Sequence, residues 1–314
     1  MQSGASSIPI RVTTGIRRMT SIRRAHRGRR NALPEEQVFG LRRVHHHRDN
    51  HLAGRRQREL QRLLIRRHSR IKRHAQAIKG RFTGRGIGII DTIQFLEVVQ
   101  ALMIFEKSGS SDPKVMDAIR TWFEEYLTWL TTHKYGIDEM NALNNHGTCW
   151  VMQVAEFAKF TRNEKMLNFC TERYKNTLLP VQMAMDGGFP KELARTKPFG
   201  YSLFNLDAMT TICHILSTPK NNLWKFSLAD GRSIQKGLEF IYPFTVAKDK
   251  WTYRQDVMYW NQWPVAHPFM LFGFNAYNDK RYIDIWEKLD HNPQEEEVIR
   301  NLPIRHPLIW FVKN

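Results

Sequence analysis

At 314 residues and 42% hydrophobic content the chain is long enough to bury a sizeable core. No run reaches about eighteen consecutive apolar residues, so no membrane span is expected. Three widely spaced cysteines with no CxxC pair exclude a disulfide framework, and the net charge of +18 suggests a nucleic-acid partner only until its distribution is read.

Residues 1–73 hold 20 of the 48 basic residues and 4 of the 30 acidic ones, a net +16, which leaves +2 for everything after them. Nineteen of those 20 are arginine, and Phe39 is the segment's only aromatic. So little apolar surface cannot offset chain entropy, and disorder is expected over 1–73. Arginines release counterions from phosphate, but no interleaved aromatics offer stacking platforms for bases, so no nucleic-acid partner is expected. Residues 1–33 lack acids and mix Arg with Ser and Thr, as an organellar transit peptide does. A non-native or out-of-frame N-terminus is the preferred reading. The run HHHRDNH (45–51) has metal-ligating side chains, but neighbouring arginines disfavour a cation. No metal or organic cofactor is expected.

From residue 74 to 314 the chain reads as a second unit, a train of amphipathic helices. Ile89, Ile93, Leu96, Val99 and Met103 recur at steps of three and four, as one buried helical face requires. Val115, Ile119, Trp122, Tyr126 and Trp129 repeat the pattern after Ser-Asp-Pro at 111–113. Trp150, Val154 and Phe157 predict a third helix, and Leu167, Cys170, Tyr174 and Leu178 a fourth. Leu206, Met209, Cys213 and Leu216 predict a fifth; Ile234, Leu238 and Ile241 a sixth; a shorter pair follows near 268–277 and 280–289. Two long connections interrupt this train: 185–200, rich in Gly and Pro, and 249–268, dense in Trp and Tyr. Period-two strands are scarce. The expected class is all-α, with helical hairpins around a common core and functional loops gathered at one end. The cysteines Cys149, Cys170 and Cys213 fall on apolar stretches and read as small buried hydrophobes.

No HExxH, GxSxG or EF-hand loop is present, and TGRGIGII (83–90) fits neither phosphate-loop pattern. What stands out is a set of polar residues at loop–helix junctions. Asn144, Asn145 and His146 precede the third helix, where backbone N–H groups and the dipole favour an anion. The amides add directed donors, and the imidazole exchanges a proton near neutral pH. Asn-Asn before a helix is also an ordinary cap. Arg195 and Tyr201 flank TKPFG on the long connection. A guanidinium binds a carboxylate bidentately and favours a nearby phenolate, and a tyrosine so placed can take a proton and return it to a leaving oxygen. These parts suit one reaction: removal of a proton alpha to a carboxylate, with expulsion of a beta-alkoxide. In a 4-linked uronic acid the proton is on C5 and the leaving oxygen on C4.

NNHGTCW (144–150), DGGFPKELARTKPFGYSLFNLDAM (186–209) and GRGIGIID (84–91) resemble the alginate lyase family, and YWNQWPVAHP (259–268) is similar to its Trp- and Pro-bearing loop. The likeness runs from about residue 75 to 300. It implies an (α/α) toroid of antiparallel helical hairpins, incomplete here on its N-terminal side, and a secreted lyase that cleaves an acidic polysaccharide by metal-independent β-elimination. It places the protein outside the cell or in the periplasm, although no hydrophobic signal core is recognisable. By the same resemblance Asn145 and His146 neutralise the substrate carboxylate, Arg195 assists, and Tyr201 acts as base, acid or both, with His146 the alternative base. Asn144, Gln76, Arg85, Tyr259, Trp260, Trp263 and His267 are implied as substrate contacts, core packing being the alternative for the aromatic ones. ARTKPFGY carries one residue fewer between Arg and Tyr than some alginate lyases, which leaves alginate and a glucuronan-like polymer both open as substrates.

Overall fold

Helices form where the apolar periodicity places them. The computed structural model describes residues 84–312, within the compact unit Arg55–Asn314. Gln76 and the run 45–51 lie outside the described residues. A 3₁₀ segment, Gly86–Gln94, leads into α1 (Phe95–Lys107). Together these 22 residues are long and apolar enough to cross a membrane by length and composition; the side carrying Ile89, Ile93, Leu96 and Val99 is buried in the core. Helix α2 (Pro113–Thr132) starts as its sequence indicates, with Pro113 in the first turn and the Asp112 carboxylate accepting from Lys114 N–H at 2.9 Å. Its stripe of Ile119, Trp122, Phe123, Tyr126 and Leu130 packs inward.

A short helix that the periodicity missed, α3 (Lys134–Met140), lies against the 3₁₀ segment. Seven residues hold too few apolar positions to show a period. Helix α4 (Asn145–Phe160) and, after α5 (Glu164–Arg173), a π turn at Tyr174–Leu178, α6 (Leu179–Gln182) and α7 (Pro190–Leu193), helix α8 (Pro198–Leu216) are buried almost all round. Helices that are apolar on every side belong at the centre of a bundle, and α4 and α8 form its most extensive pairing. Around them pack α9 (Ile234–Val246), α10 (Pro268–Tyr277), α11 (Lys280–Trp286) and α12 (Glu296–Arg300). The described residues contain no strand, only an isolated bridge between Ser227 and Ser233. Cys149, Cys170 and Cys213 are buried and unpaired with one another.

Tyr201 had been expected on the connection before the fifth helix. It belongs instead to the first turn of α8, which begins at Pro198. Proline and glycine read as loop residues, yet Pro198 occupies a first-turn position that needs no N–H partner. The Asp256 carboxylate supplies the cap that the sequence near 198 lacks. Its two oxygens accept from Phe199 N–H (2.8 Å) and Gly200 N–H (2.9 Å). A Cβ at Gly200 would lie 2.7 Å from Trp263 Nε1 and 2.9 Å from Asp256 Oδ2, so this approach requires glycine.

Candidate active site

The N-terminal parts of the two central helices are tied together. Gln182 accepts from Thr148 Oγ1 (2.9 Å) and Asn205 Nδ2 (3.1 Å), and donates to the Asn144 carbonyl (3.1 Å). Thr148 lies three residues after Asn145, and Asn205 four residues after Tyr201. The bridge therefore aligns the start of α4 with the start of α8. Asn145, His146, Arg195 and Tyr201 all line one solvent-open cleft of about 500 Å³. The 3₁₀ segment walls it with Ile87, Ile90, Asp91 and Ile93, α8 with Phe204, and the end of α12 with Arg300 and Asn301.

Each polar residue of the cleft is held from behind. Glu192, on α7, accepts from Asn145 N–H at 2.6 Å and from Asn145 Nδ2 at 3.2 Å, and lies 3.5 Å from Arg195 Nη1. Burial raises the Glu192 pKa, against the hydrogen bond from Asn145 and the charge of Arg195. Asn145 Oδ1 is buried and meets no hydrogen-bond partner among the described residues. Arg195 stacks its guanidinium 3.9 Å from the centre of the Tyr201 ring, a cation–π contact that fixes the tyrosine's plane. Lys197 Nζ sits 5.1 Å from the same ring and pairs with Glu297. Behind His146, Glu139 Oε1 lies 2.7 Å from Nδ1. The Gly147 of NNHG is sterically required, because a Cβ there would come 2.1 Å from the Ala142 carbonyl.

The remaining residues singled out in the sequence are placed differently. Asn144 is the α4 cap: its side-chain oxygen accepts from His146 N–H at 3.3 Å. Arg85 is half-buried at the start of the 3₁₀ segment and does not line the cleft. Tyr259 is half-buried, 5.3 Å from Lys197 Nζ and so linked through that ammonium to the Tyr201 ring. Trp260 leans on Phe199 (5.5 Å) with Lys248 Nζ 4.8 Å from its ring. Two implied sugar contacts need correction. Trp263 is 3% exposed and stacks on His267, which is fully buried with Nδ1 2.5 Å from Asp207 Oδ2. A ring enclosed on all sides by core has no face to offer a sugar, and this pair anchors the 249–268 connection to α8. Conversely, Glu139, Arg300 and Asn301 escaped the sequence reading, because their helices are too short to carry a periodic signal.

A bundle of helical hairpins whose two central helices present Asn, His and Tyr at a shared end, with an arginine stacked on the tyrosine, has the architecture of an (α/α) toroid. The family model described as alginate lyase matches residues 67–251, and the chain belongs to that family. Among solved structures it is similar to an alginate lyase from Bacteroides ovatus, with 28% identity and a TM-score of 0.64 over 77% of this chain. The likeness covers 62% of that protein, so the chain spans less than two thirds of its length. No curated protein matches the chain.

Proposed function

We propose that the protein is a polysaccharide lyase that cleaves a 4-linked polyuronate by β-elimination without a metal ion. The observation that carries this reading is the convergence of Asn145, His146, Arg195 and Tyr201 on one cleft in a chain of the alginate lyase family. A uronate carboxylate entering there meets the Arg195 guanidinium and the Asn145 amide, whose nitrogen has a second hydrogen beyond the one given to Glu192. These groups disperse the charge that builds on the carboxylate as C5 loses its proton. The proton passes to Tyr201 or His146, the C5–H electron pair forms the C4–C5 double bond, and the C4–O4 bond breaks. Tyr201 returns a proton to O4.

Incubation with alginate or glucuronan is expected to produce the ultraviolet absorbance of a C4–C5 unsaturated uronate. Tyr201→Phe keeps the ring that Arg195 stacks on and removes the hydroxyl. Its kcat is expected to fall by roughly 10²–10⁴-fold, with the melting temperature unchanged. Undiminished turnover in Tyr201→Phe contradicts the assignment, and oligouronate binding without any product would make the cleft a carbohydrate-binding site instead.

A further inference from the structure

Glu139, like Glu192, is a buried carboxylate in contact with a residue of the cleft. Its side chain is 1% exposed, Oε1 lies 2.7 Å from His146 Nδ1, and Oε2 meets no hydrogen-bond partner among the described residues. Burying a carboxylate with one oxygen unsatisfied is costly, and a glutamine would fill the same space at lower cost. The groups around it do not offset that cost. Besides His146, Asp91 on the 3₁₀ segment, Tyr126 on α2 and Cys149 on α4 lie close enough to feel its charge, and none is a cation. Among the described residues, the hydrogen-bond partner that faces the carboxylate is the His146 imidazole.

We infer that Glu139 is a positioning residue that holds the proton of His146 on Nδ1 and turns Nε2 toward the cleft as its proton-accepting atom; this rests on the lyase reading above. A carboxylate accepts and does not donate, so an ionised Glu139 at 2.7 Å selects the Nδ1–H tautomer. With Nδ1 occupied, Nε2 is the ring nitrogen available to a ligand. The same negative charge favours the imidazolium once Nε2 has taken a proton, much as the buried aspartate does in a serine-protease triad. The glutamate contributes from beneath the cleft and touches no substrate.

The test is nitrogen-15 NMR of histidine-labelled full-length protein, with the His146 signals assigned by their loss in His146→Gln. Wild-type protein is expected to show the neutral His146 imidazole protonated at Nδ1 and unprotonated at Nε2. Glu139→Gln, which keeps the side chain's shape but can donate as well as accept, is expected to lose that preference and show a substantial Nε2–H population. In polyuronate assays it should reduce kcat by about tenfold or more with KM little changed. Glu139→Asp, which keeps the charge, should recover part of both effects. An Nε2–H tautomer in the wild type overturns the inference, as does an unchanged tautomer in a folded Glu139→Gln. A wild-type protein with the expected NMR signature but no activity on any polyuronate supports the coupling and sinks the lyase reading alone.

Discussion

Among single residues, Glu192 bears the most on how the cleft is set. One buried carboxylate receives the Asn145 backbone and amide N–H groups and neighbours Arg195, so it fixes two of the four candidate groups at once. Glu192→Ala leaves buried donors unsatisfied, and a loss of about 1–3 kcal/mol in urea-unfolding stability is expected, together with a fall in kcat/KM; equal stability in variant and wild type would contradict the role. Much of this level was legible in sequence. NNHG at a helix start and ELAR…GY on a connection single out Asn145, His146, Arg195 and Tyr201, and all four line the same cleft. The supporting carboxylates were harder to read. Glu192 carries no sequence signal of its role, because its bond to Asn145 joins residues 47 apart in the chain. Trp263 and His267 misled for the reverse reason: an aromatic on a loop looks available until its partners, here Asp207 and each other, are known.

At the scale of elements, the central helices carry both the site and a cost. Glu156 projects from α4 into the core, fully buried, with neither carboxylate oxygen hydrogen-bonded among the described residues. Burial pushes its pKa from 4.5 up to about 7, with Lys159 opposing. A folded-state pKa raised above the unfolded one gives a contribution that is complete below pH 4.5 and lost as pH rises through about 7. At about 1.4 kcal/mol per unit the loss is about 3 kcal/mol. Wild-type stability should therefore decline between pH 5 and pH 8, as chemical unfolding would show. Glu156→Gln should flatten that decline, and parallel pH curves for the two proteins would refute the assignment. The second element-level expectation concerns Asp256, which caps α8 from another connection. Asp256→Ala should cost about 1–3 kcal/mol and lower kcat, by loosening the turn that carries Tyr201. Unaltered kinetics would separate the cap from the site. Helix existence was readable from three- and four-residue spacing, but the start of α8 was not, since its cap lies nearly sixty residues downstream.

For the molecule as a whole, the fold class followed from local periodicity, whereas the pairing of α4 with α8 did not, because both are buried on nearly every side and the stripe that reveals each helix does not name its partner. The arginines that line the described cleft are Arg195 and Arg300. Family similarity begins at residue 67, a few positions before the boundary that composition alone suggests. Because guanidinium and amide groups are assigned the task of neutralising the substrate, prolonged dialysis against EDTA is expected to leave the initial rate unchanged. A loss restored by added metal would contradict that division of labour.

The most direct measurement is a crystal structure of the Tyr201→Phe variant with a bound oligouronate. The expected result is a sugar whose carboxylate contacts Arg195 and Asn145, with its C5 hydrogen facing His146 or residue 201. An oligouronate seated elsewhere, or one whose carboxylate points away from both groups into solvent, would contradict the assignment of this cleft.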